Sequence, residues 1–392
     1  MALDPESQNL LNMMAAANRP AWITLSPAAA REQYLSTRAP AQGPLPQGVT
    51  VTNRTIPGPT GTMPVRLYRP DSAAAETKLP ALVFAHGGGW VFGNLDSHDV
   101  LCAQLAIGAG IAVFAIDYRL APEARFPGAF DDVAAGLKWV AANGASVGID
   151  PAKLAIGGDS AGGNLAAAVA LWARDNGGPK LKLQMLAYPV VDAVARGESY
   201  RLFNDGYGLN AVTMEWFFDH YTPDKTARAD WRISPLRAKS LAGLPPALVI
   251  TAGYDTLRDE GRAYAWRLQK EGTVADLVEF GGMLHGFLSS PMLLHRARRC
   301  PHHQRPRGGA DLLHRRAGLG IELLALGRQQ HFADLPFEQL HAQELLQAAH
   351  LPADGAVRDV QLLGGARKAL VAGGDQEGAQ RIERRKLGRD HV

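Results

Sequence analysis

The sequence has few cysteines and no long apolar run. Its 392 residues include only two cysteines, Cys102 and Cys300, which lie far apart and belong to no CxxC pair. Nothing therefore indicates a disulfide framework or a zinc site. No stretch approaches the roughly 18 uninterrupted apolar residues of a membrane-spanning helix, and the first residues carry acids where a secretory signal carries bases. We expect a cytoplasmic protein without a metal centre.

An excess of charge of one sign is also absent over most of the chain. Residues 1–291 carry 25 Lys and Arg against 27 Asp and Glu, whereas residues 292–392 carry 16 against 11. The net charge of +3 therefore belongs to the C-terminal segment. A basic tail alone is a weak indication of nucleic-acid binding. We expect neither a nucleic-acid partner nor a membrane partner.

The C-terminal segment differs from the rest in composition as well. All seven Trp and all nine Tyr lie before residue 292, while eight of the twelve His lie from His295 onward. The stretch 300–309 has neither a strand period nor a helix period. Two interpretations stay open for residues 300–392: a frame-shifted or disordered tail appended to a complete enzyme, and a genuine small basic domain.

Short apolar runs alternate with helical patterns before that segment. Six runs have the length of buried strands: 81–85, 111–116, 154–158, 181–188, 247–251 and 274–280. Three stretches with a helical pattern lie between them: 131–142, 160–174 and 258–270. Strands of this kind are typical of a parallel sheet covered by helices on both faces. Together with two antiparallel strands predicted within 49–69, the order predicts a doubly wound α/β fold.

A serine lies at the junction of one such strand and helix. The segment 158–162 reads Gly-Asp-Ser-Ala-Gly and matches the G-x-S-x-G pattern. The pentapeptide occurs by chance in many proteins, but here it follows an apolar strand and opens an Ala-rich helix. This is the context of a nucleophile elbow, where small residues allow a sharp turn that exposes the serine. We predict that Ser160 is a catalytic nucleophile.

A glycine-rich segment, His-Gly-Gly-Gly-Trp at 86–90, follows the strand predicted at 81–85. Acyl transfer needs N–H donors at the place where negative charge develops on the substrate oxygen. Glycine leaves the approach to a backbone N–H open. We predict an oxyanion hole formed by the N–H groups of Gly87, Gly88 and Ala161. A phosphate-binding loop is disfavoured because neither the GxGxxG spacing nor a Lys-Ser/Thr ending is present.

An acid and a histidine follow the last two predicted strands. Asp255 comes after the strand at 247–251, and His285 comes after the strand at 274–280. Parallel strands present such residues at one edge of the sheet, and the order Ser, Asp, His is that of α/β hydrolases. We predict that His285 is the general base and that Asp255 orients it. Asp259 competes for the acid role, although it is also explained as a helix-start acid.

Taken together, these motifs resemble the hormone-sensitive-lipase-like family of bacterial esterases, within the α/β-hydrolase superfamily. The segments that carry the resemblance are 86–90, 117–123 (Asp-Tyr-Arg-Leu-Ala-Pro-Glu), 158–163, 255–259 and 285–287. The similarity covers roughly residues 1–299. It implies an α/β-hydrolase fold with a mostly parallel central sheet flanked by helices and with a helical cap. The implied cap consists of residues 1–45 and about 196–240, on a catalytic domain of 46–299.

The resemblance also implies a function. It points to a carboxylesterase that cleaves short- to medium-chain acyl esters through an acyl-enzyme, with a small-molecule ester as its partner and no cofactor. Trp90, Tyr188, Phe203 and Phe217 are candidates for the acyl and alcohol pockets, with an ordinary core role as the alternative. An acyltransferase or amidase with the same triad stays open. A non-catalytic small-molecule-binding module is disfavoured by the presence of His285, and a homodimer stays open.

Overall fold

The computed structural model describes residues 2–294, so the predicted tail at 300–392 lies outside the described residues. Eight strands form one sheet: β1 (Val49–Gly58), β2 (Gly61–Pro70), β3 (Leu79–Ala85), β4 (Ala112–Ile116), β5 (Ile149–Asp159), β6 (Leu181–Ala187), β7 (Ala247–Tyr254) and β8 (Ala275–Leu284). Their order across the sheet is β1-β2-β4-β3-β5-β6-β7-β8. Strand β2 runs antiparallel to β1 and to β4, and the other neighbouring pairs are parallel. The predicted mostly parallel sheet is confirmed.

Helices flank this sheet: α1 (Pro5–Ala16), α2 (Pro27–Gln42), α3 (Asp99–Ala109), α4 (Gly128–Asn143), α5 (Ala161–Asp175), α6 (Glu198–Leu202), α7 (Ala211–Tyr221) and α8 (Arg258–Lys270). The three helical patterns in the sequence correspond to α4, α5 and α8. Helix α3 has no counterpart among the predicted elements. Its apolar residues are spread around the helix instead of forming one stripe, and six of its eleven residues are buried. No helix within residues 2–294 is long and apolar enough to cross a membrane.

The central strands are apolar because both of their faces are covered. Every residue of β3 and of β4 is buried, which explains why both strands appear in the sequence as continuous apolar runs. Helix α5 is also buried along most of its length. Its alanines and glycines allow the helix to pack closely against the sheet. The core therefore holds β5 and α5, and the junction between them, firmly in place.

The parallel register brings the four functional segments to one edge of the sheet. Ala85 at the end of β3 pairs with Gly158 near the end of β5. Tyr254 at the end of β7 pairs with Leu284 at the end of β8. The residues that follow these four strand ends include the glycine-rich segment, Ser160, Asp255 and His285. The sheet thus delivers all of them to its carboxyl edge.

Two helical segments meet near this edge. The N-terminal one contains α1, a 3₁₀ turn at Trp22–Thr24 and α2, and the other contains α6 and α7 between β6 and β7. The ring of Phe92, just after the glycine-rich segment, lies 5.1 Å from the ring of Trp22 and 5.0 Å from that of Phe217. Both segments therefore contact Phe92. Their assignment as a cap stays a prediction.

Candidate active site

Ser160 lies at the sharp turn between β5 and α5. Its backbone has φ 55° and ψ −119°, a conformation that non-glycine residues rarely adopt. The turn brings the chain very close to the end of β3. A Cβ atom would lie 2.4 Å from the carbonyl oxygen of Ala85 at position 158 and 2.0 Å from it at position 162. Gly158 and Gly162 are therefore required for the elbow to form.

The three predicted side chains are in hydrogen-bond contact. His285 Nε2 lies 3.0 Å from Ser160 Oγ, and His285 Nδ1 lies 2.8 Å from Asp255 Oδ2. The Asp255 side chain is fully buried, and its Oδ1 accepts a 2.8 Å hydrogen bond from the N–H of Leu257. Both carboxylate oxygens are thus held in place. The geometry allows proton transfer from the serine hydroxyl to an imidazole that is oriented by a carboxylate.

The competing acid, Asp259, has different partners. Its Oδ2 accepts a 2.8 Å hydrogen bond from the N–H of Ser199 at the start of α6, and its Oδ1 lies 2.9 Å from Arg258 Nε. Asp259 therefore joins α8 to the segment between β6 and β7. Of the two acids, the structure brings only Asp255 to His285.

The structure corrects the prediction for Gly87. Its N–H donates a 2.8 Å hydrogen bond to Asp159 Oδ1, so this donor is already used within the protein. No described residue accepts a hydrogen bond from the N–H of Gly88, Gly89 or Ala161. Gly89, which is absent from the predicted oxyanion hole, replaces Gly87 among the available donors. The run of three glycines contained this residue, but the sequence does not show which of their N–H groups is used in a hydrogen bond within the protein.

A buried hydrogen-bond network fixes the glycine-rich segment in position. His98 Nε2 lies 3.1 Å from Asp159 Oδ1, and His98 Nδ1 lies 2.8 Å from Ser97 Oγ. Burial raises the pKa of Asp159, but His98, His86 and the hydrogen bond from Gly87 together lower it more, so that the carboxyl group has a pKa below its usual value. Burial also lowers the pKa of His86 to about 3, and neighbouring His98 contributes. Asp159 is therefore a carboxylate that fixes the Gly87 peptide beside the nucleophile, and His86 is neutral.

The four predicted pocket residues differ in their environment. Trp90 is fully buried and stacked on Tyr221 at 4.6 Å, an environment typical of a core residue. Tyr188 is 1% exposed, and its ring lies edge-on to His285 at 4.8 Å. Phe217 contacts the glycine-rich segment, since a Cβ at Gly89 would lie 2.2 Å from its ring. The remaining one, Phe203, packs against Tyr207 and Tyr254, the residue before Asp255. Tyr188 thus contacts the predicted general base, and Phe217 contacts the glycine-rich segment.

Comparison with known proteins gives the family. The family model described as alpha/beta hydrolase fold matches residues 82–289, which is more than half of the chain. The chain belongs to the hormone-sensitive-lipase-like family of α/β hydrolases. Among these hydrolases it is 47% identical over 247 residues to the carboxylic ester hydrolase LipN of Mycobacterium tuberculosis. That match covers 62% of this chain and 65% of LipN.

Two further relatives match at nearly full length. The ethyl acetate hydrolase of Pseudomonas putida is 36% identical over 305 residues, which are 76% of this chain and 95% of the relative. An ester hydrolase from the metagenome of Lake Arreo, solved with a bipyridine phosphonate derivative, superposes with a TM-score of 0.74 at 39% identity. That match covers 84% of this chain and 99% of the relative. This α/β hydrolase is therefore a carboxylic ester hydrolase, as the resemblance implied.

Proposed function

We propose that this α/β hydrolase cleaves short- to medium-chain acyl esters with Ser160 as nucleophile, His285 as general base and Asp255 as the orienting acid. The observation that carries the proposal is the continuous hydrogen-bonded path from Ser160 Oγ through His285 to the buried Asp255 carboxylate. An acyltransferase or amidase would use the same path. Nothing in the geometry favours either, so ester hydrolysis, the activity named for the relatives, is the conclusion.

In the first step, Ser160 Oγ attacks the ester carbonyl carbon while His285 Nε2 accepts the hydroxyl proton. Asp255 keeps the proton of the imidazole on Nδ1, so that Nε2 is free to accept, and stabilises the imidazolium that forms. His285 then gives the proton to the leaving alkoxide. Water attacks the acyl-enzyme in the second half of the reaction, with His285 again acting as base.

The negative charge of each tetrahedral intermediate needs preorganised donors. The available N–H groups are those of Gly88, Gly89 and Ala161, and they replace the predicted set that included Gly87. Ala161 supplies its N–H at the start of α5, where the first N–H groups of a helix have no intrahelical acceptor. Asp159 helps to position Gly88 and Gly89, because its carboxylate accepts a hydrogen bond from the N–H of the preceding Gly87.

The preference for short- to medium-length acyl chains is supported by the aromatic contacts beside the glycine-rich segment. Phe92 and Phe217 contact each other there, and both are at most 5% exposed. With the N-terminal segment and the segment of α6 and α7 acting as a cap, these rings limit the space for an acyl chain. The Pseudomonas putida relative is named for hydrolysis of ethyl acetate, a short ester.

A series of p-nitrophenyl esters tests both parts of the proposal. Acetate, butyrate and octanoate esters should be hydrolysed with much higher kcat/KM than the palmitate ester, and Ser160→Ala should abolish turnover of all of them. Ser234→Ala is the matched control, since Ser234 is buried and its hydroxyl accepts from the N–H of Ala193 and donates to the carbonyl oxygen of Arg228 instead of binding His285. Near-normal turnover by Ser160→Ala would overturn the mechanism. A preference for palmitate would overturn the assigned chain length. Transfer to added butanol in place of hydrolysis would overturn the assigned reaction in favour of an acyltransferase.

A further inference from the structure

Helix α2 spans the gap between the glycine-rich segment and the histidine loop. On one side, the ring of Tyr34 lies 4.5 Å from the ring of Phe92. On the other side, Arg38 Nη1 donates a 3.1 Å hydrogen bond to Ser289 Oγ, four residues after His285. The guanidinium of Arg38 therefore lies next to the loop that carries the proposed general base.

Arg38 differs from the other arginine on the same face of α2. Arg31, two turns earlier, binds both carboxylate oxygens of Glu123 and also donates to the carbonyl oxygens of Val91 and Ala121. Arg38 has no carboxylate within ion-pair distance among residues 2–294. Its guanidinium is partly buried and lies 4.9 Å from the centre of the Tyr34 ring. Its further partners, Thr37 Oγ1 and the carbonyl oxygen of Ser289 at 3.5 Å each, are neutral, so they leave the positive charge uncompensated and able to attract an anion.

A second donor without a partner lies nearby. The Tyr188 side chain is 1% exposed, and within the described part of the chain its hydroxyl has no hydrogen-bond partner. Burial raises the pKa of Tyr188, so its hydroxyl stays protonated and can donate. The Tyr188 ring lies 5.7 Å from the ring of Phe287, in the loop that Arg38 contacts at Ser289, so both side chains lie against this loop. The ring also contacts His285. An unsatisfied buried hydroxyl is costly, and an acceptor atom of a bound substrate would remove that cost.

We propose that Arg38 and Tyr188 form an anion-binding subsite beside the triad, and that the preferred substrates are esters that carry a second, free carboxylate. This inference rests on the proposed function, because the carboxylate is recognised while the ester lies at Ser160. Two kinds of molecule have this chemistry: monoesters of short dicarboxylic acids and O-acyl derivatives of hydroxy acids. A carboxylate suits the site because the flat guanidinium offers two parallel N–H donors and the phenol offers a third.

Matched pairs of substrates test the subsite. On the acyl side, mono-p-nitrophenyl glutarate is compared with the neutral p-nitrophenyl pentanoate. On the alcohol side, O-butyryl glycolate is compared with its methyl ester. The measured quantity is the ratio of kcat/KM for the anionic ester over the neutral one, at low ionic strength. In at least one pair, Arg38→Gln should lower this ratio about 10- to 100-fold, the range of a charged hydrogen bond.

Further variants separate a specific subsite from general electrostatics. Arg38→Lys should keep part of the ratio, Arg38→Glu should lower it below that of Arg38→Gln, and Tyr188→Phe should lower it by a smaller factor. Arg31→Gln removes an equal charge from the same helix and should leave the ratio within twofold of wild type. Binding of monoethyl glutarate to Ser160→Ala, measured by calorimetry, should weaken by the same factor when Arg38→Gln is added.

Two results would overturn the subsite. One is a ratio for Arg38→Gln within twofold of wild type in both substrate pairs, and the other is an equal loss in Arg31→Gln. If Arg38→Gln does not fold, Arg38→Lys and Tyr188→Phe decide by the same ratio. The proposed function is tested separately, because hydrolysis of neutral esters and its loss in Ser160→Ala do not depend on Arg38.

Discussion

Replacement of Asp255 by Asn should move the imidazole proton of His285 from Nδ1 to Nε2. Asp255 Oδ1 accepts the Leu257 N–H at 2.8 Å, whereas Oδ2 faces His285 Nδ1 at 2.8 Å. In the variant, the amide oxygen will occupy the position beside Leu257, because only the oxygen accepts from an N–H group. The amide nitrogen then faces His285 Nδ1 and donates to it. This places the imidazole proton on Nε2, where it blocks proton transfer from Ser160.

The size of the effect follows from this tautomer. The equivalent substitution in a serine protease triad keeps the geometry and lowers kcat about 10⁴-fold. We expect a similar loss for Asp255→Asn, which corresponds to about 5 kcal/mol in the activation free energy. Because the amide keeps the hydrogen bond to Leu257 and has the same shape, the fold and KM should change little.

Steady-state hydrolysis of p-nitrophenyl butyrate measures this loss, with circular dichroism and thermal melting as checks on the fold. Asp259→Asn is the control, because Asp259 binds Ser199 and Arg258 instead of His285, and it should reduce kcat less than tenfold. The reasoning would be refuted if Asp255→Asn kept kcat within tenfold of wild type. It would also be refuted if Asp259→Asn lost as much activity as Asp255→Asn.

Three other predictions concern the surroundings of the triad. Gly88→Ala should lower kcat by about 10² or more, because its Cβ would lie 2.0 Å from the carbonyl oxygen of Phe92 and displace the donor loop; unchanged butyrate kinetics would contradict this. Asp159→Ala should lower kcat about 10- to 100-fold with KM nearly unchanged, since the Gly87 peptide loses its anchor, and Asp159→Asn should retain more activity because its amide oxygen can still accept; equal losses would contradict the role. Burial raises the pKa of Glu260 from 4.5 to about 8, so the native state binds this proton more tightly and its contribution to stability is lost as the pH rises from about 4.5 to 8. Between pH 5 and 9, the Glu260→Gln variant should therefore lose less unfolding free energy than the wild type, by up to roughly 5 kcal/mol. Its melting temperature should decrease less over this range, and an equal decrease in both proteins would contradict the prediction.

The sequence predicted the sheet, and the proximity of the three side chains proposed as the triad, because both depend on local patterns. The buried strands are continuous apolar runs, and Ser160, Asp255 and His285 each follow such a run directly. Parallel pairing then brings the strand ends together whatever the details of the loops. Helix α3 was missed because its apolar residues do not form a single stripe that distinguishes a helix from other buried segments.

The details that the sequence did not provide depend on long-range contacts. Whether the N–H of Gly87 is available is decided by Asp159, 72 residues later in the chain, because Asp159 accepts its hydrogen bond. The choice between Asp255 and Asp259 depends on how the start of α8 lies against Ser199 and His285. Trp90 carries no local signal that distinguishes a pocket wall from a core residue, and its partner Tyr221 lies on α7.

Because Gly89 and Phe217 are in contact, the substitutions tolerated at these two distant positions depend on each other. A methyl group at position 89 would overlap the phenyl ring at 217, 2.2 Å away. A lineage in which residue 217 first became small would tolerate a larger residue at 89 more readily than one that kept the ring. Anyone grafting α7 from another hydrolase should therefore choose the donor helix and the third glycine as a single unit.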